Sequence, residues 1–204
     1  MSKVGGMVVT SKKPAPLFIT GDPDTDGLLN ADPLALLIGM LLDQQVPMEW
    51  AFRGPASLKG RLGGTLDVGE IAAMDPDALV AVFCEKPALH RYPAAMARRT
   101  HELCRFLVEH YDGDPAAVWR AVRSGDELYR RLRELPGYGD EKARIFMAIL
   151  AKRFGQRPRG WKQAAEPFSD ATPRSVADIH SPDSLARVRD FKKARKAQGR
   201  GKAD

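Results

Sequence analysis

Cysteine is almost missing from this chain. With Cys84 and Cys104 alone, one copy cannot assemble a four-cysteine zinc or iron–sulfur site. Both lie in apolar-periodic stretches and read as buried thiols. The four histidines (90, 101, 110 and 180) show no ligand spacing with them, so no metal and no cofactor is expected. Long apolar runs are also lacking: none reaches the roughly 18–20 residues that span a bilayer. The first residues, Met1 to Lys13, hold neither a sustained apolar segment nor a small-residue cleavage site, which argues against a signal peptide. The expectation is a soluble, cytoplasmic protein with no membrane partner. Finally, no alternating apolar–polar run exceeds four residues, so strands are not expected.

What the chain has is helical periodicity with repeated start signals. A capping side chain followed by proline, the pairing favoured at a helix N-terminus, occurs at Asp32-Pro33, Asp75-Pro76, Asp114-Pro115 and Ser181-Pro182. The first opens Leu34–Gln45, apolar almost all round and therefore central. Further helices are expected from Trp50 to Leu62, over 67–74 and 76–83, from Tyr92 to His110, from Ala116 to Val122, from Trp161 to Glu166 and from Leu185 to Lys196. Asp22, Asp24 and Asp26 lack the downstream Glu of a calcium loop and read as turn and capping residues. The fold class is all-α, with about ten helices joined by short connections.

One stretch stands out, Leu135-Pro136-Gly137-Tyr138-Gly139. Leu128, Leu132 and Leu135 precede it at i, i+4, i+7; Ala143, Phe146, Met147, Leu150 and Phe154 follow with helical spacing. Two helices joined by Pro-Gly-Tyr-Gly make a helix–hairpin–helix. Its glycines permit positive φ and leave the backbone uncovered. The second helix then presents its positive dipole end, a seat for phosphate. The same residues also suit a plain turn between core helices.

Charge points the same way. The net +6 resides from Arg187 onward, where eight Lys/Arg face only Asp190 and Asp204. The preceding residues are formally neutral, but their signs separate. Residues 21–50 hold six acids and no base, whereas 142–162 hold Lys142, Arg144, Lys152, Arg153, Arg157, Arg159 and Lys162 and no acid. A basic block after a phosphate-binding hairpin suits a polyanion.

These residues resemble the HhH-GPD superfamily of base-excision DNA glycosylases, the relatives of endonuclease III, adenine glycosylase and 8-oxoguanine glycosylase. The hairpin with Ala143 looks like theirs. Leu41-Leu42-Asp43-Gln44-Gln45 resembles their Gln-Gln helix, and Pro93–His110 their long helix before the hairpin pair. The chain also looks close to an actinobacterial-type subgroup. The resemblance covers about residues 26–155 and implies a helical barrel, here without an iron–sulfur cluster. An N-terminal segment, 1–25, is expected to pack with the C-terminal part; a helical segment, 156–190, and a basic tail, 191–204, follow. The implied partner is double-stranded DNA with a lesion or mismatch, bound by a monomer. DNA contacts fall to Gln44, Gln45, Pro136, Gly137, Tyr138, Gly139, Lys142 and Arg144, with Gln44, Gln45 and Val46 as wedges for a flipped base. Trp50, Tyr92 and Trp161 are its aromatic pocket, and Phe52 reads as core.

The departures are as informative. Where bifunctional members carry a nucleophilic lysine, this chain has Glu141. Lys142 lies one step later, about 100° around a helix, so no lyase chemistry by that route is expected. The position matching the catalytic aspartate is Arg159. Three acids are alternatives: Asp170, Glu166, and Asp43, which as a helical residue would share a face with Met40, where adenine glycosylases carry a catalytic Glu. Three functions fit: a monofunctional glycosylase excising a damaged or mispaired base, a DNA-structure-binding protein that lost the chemistry, and a helical interaction domain with a basic tail.

Overall fold

A computed structural model describes residues 14–199 and 201. The described residues form ten α-helices: α1 Pro23–Ala31, α2 Pro33–Leu42, α3 Met48–Arg61, α4 Val68–Ala73, α5 Pro76–Cys84, α6 Pro93–Tyr111, α7 Gly125–Glu134, α8 Asp140–Arg153, α9 Trp161–Ala164 and α10 Pro182–Ala197. Two 3-10 turns, Pro115–Val118 and Val176–Asp178, complete them. The protein is all-α; its one isolated β-bridge among these residues joins Ser124 to Arg159. No single described helix is long and apolar enough to cross a membrane.

The four cap-plus-proline pairs all start helical elements. Asp32 Oδ1 accepts from Leu34 N and Ala35 N at 2.8 and 3.2 Å, and Asp75 from Asp77 N and Ala78 N at 2.9 and 3.0 Å. Asp114 accepts from Ala116 N at 3.0 Å, and Ser181 from Ser184 N at 3.2 Å. Each such cap is worth about 1 kcal/mol. Asp22-Pro23 is a fifth case, in a stretch read from sequence as turn and capping residues; Asp22 accepts from Thr25 N at 3.1 Å and opens α1.

Nine of the ten residues of α2 are buried, which makes it the helix around which the others pack. It meets α1, α3, α6 and the 3-10 turn at Pro115–Val118. The contact with α3 is closest at Gly54, where an added Cβ would overlap Leu42 Cδ1. Phe52 is wholly buried, as expected.

Three expectations need correcting. The central helix stops at Leu42, so Asp43, Gln44 and Gln45 form a turn. Cys84, the last residue of α5, is exposed; only Cys104 is buried, and burial pushes its thiol up to about 12. The stretch expected to run as a helix from Ala116 to Val122 is the short 3-10 turn. Moreover, α10 continues past residue 190 to Ala197; the last residues of the expected tail, 202–204, lie outside the described residues, as do 1–13.

The described part of the N-terminal segment is held by one buried carboxylate. Asp26 accepts the amides of Ile19 and Thr20 at 3.1 and 2.9 Å, the Thr20 hydroxyl at 3.0 Å and the Gly21 amide at 3.2 Å. Phe18 N then reaches Ile179 O at 3.4 Å, which brings this segment against the C-terminal part. Asp26→Ala would strand several buried donors and is expected to cost about 3 kcal/mol. A thermal melt followed by circular dichroism should show a midpoint lower by roughly 6–12 °C; an unchanged midpoint would show that Asp26 does not hold the segment.

Candidate nucleic-acid interface

The hairpin between α7 and α8 is fastened from beneath. Tyr138 N donates to Leu135 O at 3.0 Å and closes the turn. The Tyr138 ring is only 3% exposed, lies edge-on to Phe146 with centroids 5.8 Å apart, and donates its hydroxyl to Leu37 O at 2.8 Å. Burial raises its phenol well above the ordinary value. This tyrosine therefore anchors the hairpin to α2, and it is the loop backbone that faces outward. Of the two glycines, only Gly137 needs positive φ (+81°); Gly139 lies at φ −73° and serves as the N-cap of α8 without a side-chain cap. An added Cβ at Gly137 would overlap Leu41 Cδ1.

Outside the hairpin lies a concavity of about 490 Å³, lined by Pro136 to Gly139 with Arg99, Arg133 and Glu102. Arg133 donates to Tyr138 O at 3.0 Å. Two guanidinium groups beside an uncapped helix start favour an anion there.

Next to it, the C-terminal end of α2 opens into a second cleft, of about 610 Å³. Lys142 Nζ and Gln44 Nε2 converge on Leu41 O at 2.5 and 2.8 Å. Gln44 Oε1 accepts from Arg99 Nη1 at 2.7 Å, and Gln44 O lies 3.1 Å from His90 Nε2. With both ends of its amide engaged, Gln44 is a fixed strut between cleft and hairpin. Gln45 differs. It is exposed and held at φ +57°, a conformation that costs a non-glycine residue and that Asp112 and Ala121 also adopt.

The acids divide sharply. Asp43 lines the cleft with Met40, although Asp43 itself has left the helix. Its carboxylate takes part in no hydrogen bond or ion pair among the described residues. Asp170 lines a different cleft, with Lys152 and Asp178. It accepts from Thr172 N at 2.9 Å and pairs with Arg174 at 3.1 Å; these bonds hold its carboxyl below the usual range although desolvation pulls the other way. Glu166 is exposed just past α9 and lines neither cleft nor hairpin concavity.

The structure adds an acid that sequence reasoning passed over. Glu141 lines the cleft beside Lys142. Lys142 lines it too, with its ammonium donated to Leu41 O. The available signal was the place of Glu141 in the first turn of α8, directly after the hairpin.

Of the remaining residues, Arg144 binds Asp140 at 3.1 Å and the carbonyls of Ala164 and Glu166 at 3.2 Å, which turns it towards α9. Trp161 is half-buried against the core, away from the cleft. Trp50 and Tyr92 are 40% and 43% exposed, on rings 6.3 and 6.1 Å from His90, and are not cleft walls. The cleft is also lined by α10: Arg189 grips Glu49 Oε1 at 2.8 and 2.6 Å, and Lys192 Nζ reaches Met48 Sδ at 3.3 Å.

The two hairpin glycines should respond differently to substitution. Gly137→Ala, at positive φ and against Leu41, should lose about 1–3 kcal/mol, whereas Gly139→Ser supplies a good N-cap and should stay within about 0.5 kcal/mol of wild type; paired melts of the two proteins decide it. His90 accepts the Tyr92 amide on Nδ1 at 3.0 Å. Burial, aided by the charge of Lys142, holds its imidazole below its ordinary value, against the Gln44 hydrogen bond. Below about pH 6.5 the unfolded chain takes up a proton that the native site resists, so stability falls with pH there. The melting-temperature gap between wild type and His90→Gln should therefore be largest near pH 7.5 and shrink by about pH 5.5; a constant gap would remove His90 from this linkage.

No protein-family model matches the chain, and no curated protein matches it by sequence. Among solved structures, it is similar to the crystal structure of the H. pylori 3-methyladenine DNA glycosylase MagIII bound to 1,N6-ethenoadenine, with a TM-score of 0.48 and 15% identity over 84% of this chain and 93% of that one.

Proposed function

We propose that this protein binds double-stranded DNA through the α7–α8 hairpin and acts there as a monofunctional, glycosylase-like hydrolase on a damaged or mispaired base. One observation carries the reading. The Arg99–Gln44 hydrogen bond, 2.7 Å, joins the cationic hairpin concavity to a cleft that holds two carboxylates, Asp43 and Glu141. The cleft, about 610 Å³, is within the range of small-ligand pockets.

In this reading a backbone phosphate sits at Pro136–Gly139 between Arg99 and Arg133. A nucleotide swings out of the stack into the cleft, and Gln45, on its strained turn, fills the gap. Hydrolysis of the glycosidic bond develops positive charge on the sugar. A carboxylate that faces this charge and orients water lowers the barrier, a role open to Asp43 and Glu141. The Lys142 ammonium, donated to Leu41 O, serves as a cationic wall and not as an attacking amine. A single copy supplies every element.

The test is a panel of duplexes bearing uracil, hypoxanthine, alkylated and oxidised bases, with strand cleavage by alkali as readout. Release of one lesion class is expected, reduced about 100-fold or more by Asp43→Asn or Glu141→Gln, with no borohydride-trapped adduct at Lys142. Salt-dependent binding without release from any duplex would sink the hydrolase and leave a DNA-structure-binding protein, since the hairpin is complete without the acids.

A further inference from the structure

The C-terminal half of α10 has little core to serve. Only Ser184, Leu185 and Val188 of this helix are buried, all in its first half. Beyond them Phe191 lies between the guanidinium groups of Arg174 and Arg195, at 5.7 and 5.2 Å, and Arg189 fastens the helix to Glu49. Arg189, Lys192, Lys193 and Lys196 recur at i, i+3, i+4 and i+7, which places them in one stripe along the helix. The first two line the cleft; Lys193 and Lys196 are exposed and continue the stripe away from it. Asp190, the acid nearest in sequence, steps off that line by one residue.

The helix dipole does not account for this arrangement. Its preference for cations is confined to the last turn, whereas the stripe begins two turns earlier, at Arg189. From Arg189 to Lys196 it runs about 10 Å, the axial rise of about three nucleotides of one strand.

We propose that this stripe is a second DNA-backbone clamp, which grips strand phosphates beside the cleft that α10 lines. The proposal rests on the DNA-binding reading above and extends it to a helix that reading does not use. The hairpin and α10 then hold the backbone at two separate places. The clamp has no sequence preference, because only phosphates meet it.

The experiment measures duplex affinity by fluorescence anisotropy between about 50 and 200 mM salt, using the full chain and a plain duplex. Lys193→Ala combined with Lys196→Ala should make the log–log salt slope shallower by about 1.8, or about 0.9 for each phosphate that is no longer neutralised. Lys193→Arg with Lys196→Arg should keep the wild-type slope, which separates charge from helix integrity; thermal melts of all three proteins should coincide. If wild type binds and the alanine variant keeps its slope, the clamp is wrong while the hairpin reading stands. If wild type binds no duplex at any salt, both fall. A shallower slope in the arginine variant too would also overturn the clamp, because the charges would then not be the cause.

Discussion

The carbonyl oxygen of Leu41 is the point on which the cleft and its link to the hairpin depend. A helix as apolar as α2 can be buried along its length, but its last carbonyls still need donors. Gly39 O and Leu42 O take theirs locally, from Asp43 N and Gln44 N at 3.2 and 2.7 Å, whereas Leu41 O draws on side chains. Lys142 reaches across from α8, Gln44 folds back from the turn, and one helical turn earlier the Tyr138 hydroxyl meets Leu37 O. The hydrogen bonding that terminates the central helix thus also positions the hairpin, the first turn of α8 and the strained turn at Gln45. Stability and site geometry are here the same set of bonds.

This explains what was legible in the sequence and what was not. Helix starts were readable because their determinants are local: an Asp or Ser accepting from an amide two or three residues on, with proline next. The apolar circumference of α2 and the spacing of Leu128, Leu132 and Leu135 marked the core and the hairpin equally directly. The end of α2 was not readable. Asp43, Gln44 and Gln45 carry no breaker before Pro47, and the Leu41 carbonyl at the helix end is held jointly by Gln44 and by a lysine 101 residues away. The acids were hard to place for a related reason. Asp170 is occupied by neighbours two and four residues on. Glu141 registered only as a missing lysine, and its place in the cleft depends on how the end of α8 meets α2.

Charge separation in the sequence also takes a spatial meaning. The acid-rich stretch 21–50 is largely consumed by structure: Asp22 and Asp32 cap helices, Asp26 holds the N-terminal segment, and Glu49 fastens α10. Asp43 remains. The bases divide similarly, because Arg144, Lys152 and Arg153 tie α8 to the C-terminal part. A count of charge therefore overstates the cationic surface of the 142–162 block, and α10 with the pair Arg99 and Arg133 carries more of it.

The contrast between the two thiols gives the molecule a practical property. Cys104 is wholly buried and its ionisation is pushed up to about 12, so at neutral pH it offers almost no thiolate. Cys84 is exposed at the end of α5 and lines neither the cleft nor the hairpin concavity. A maleimide dye would thus attach at one place on the unaltered chain, clear of both, and so make its encounters with a partner visible without any engineered handle.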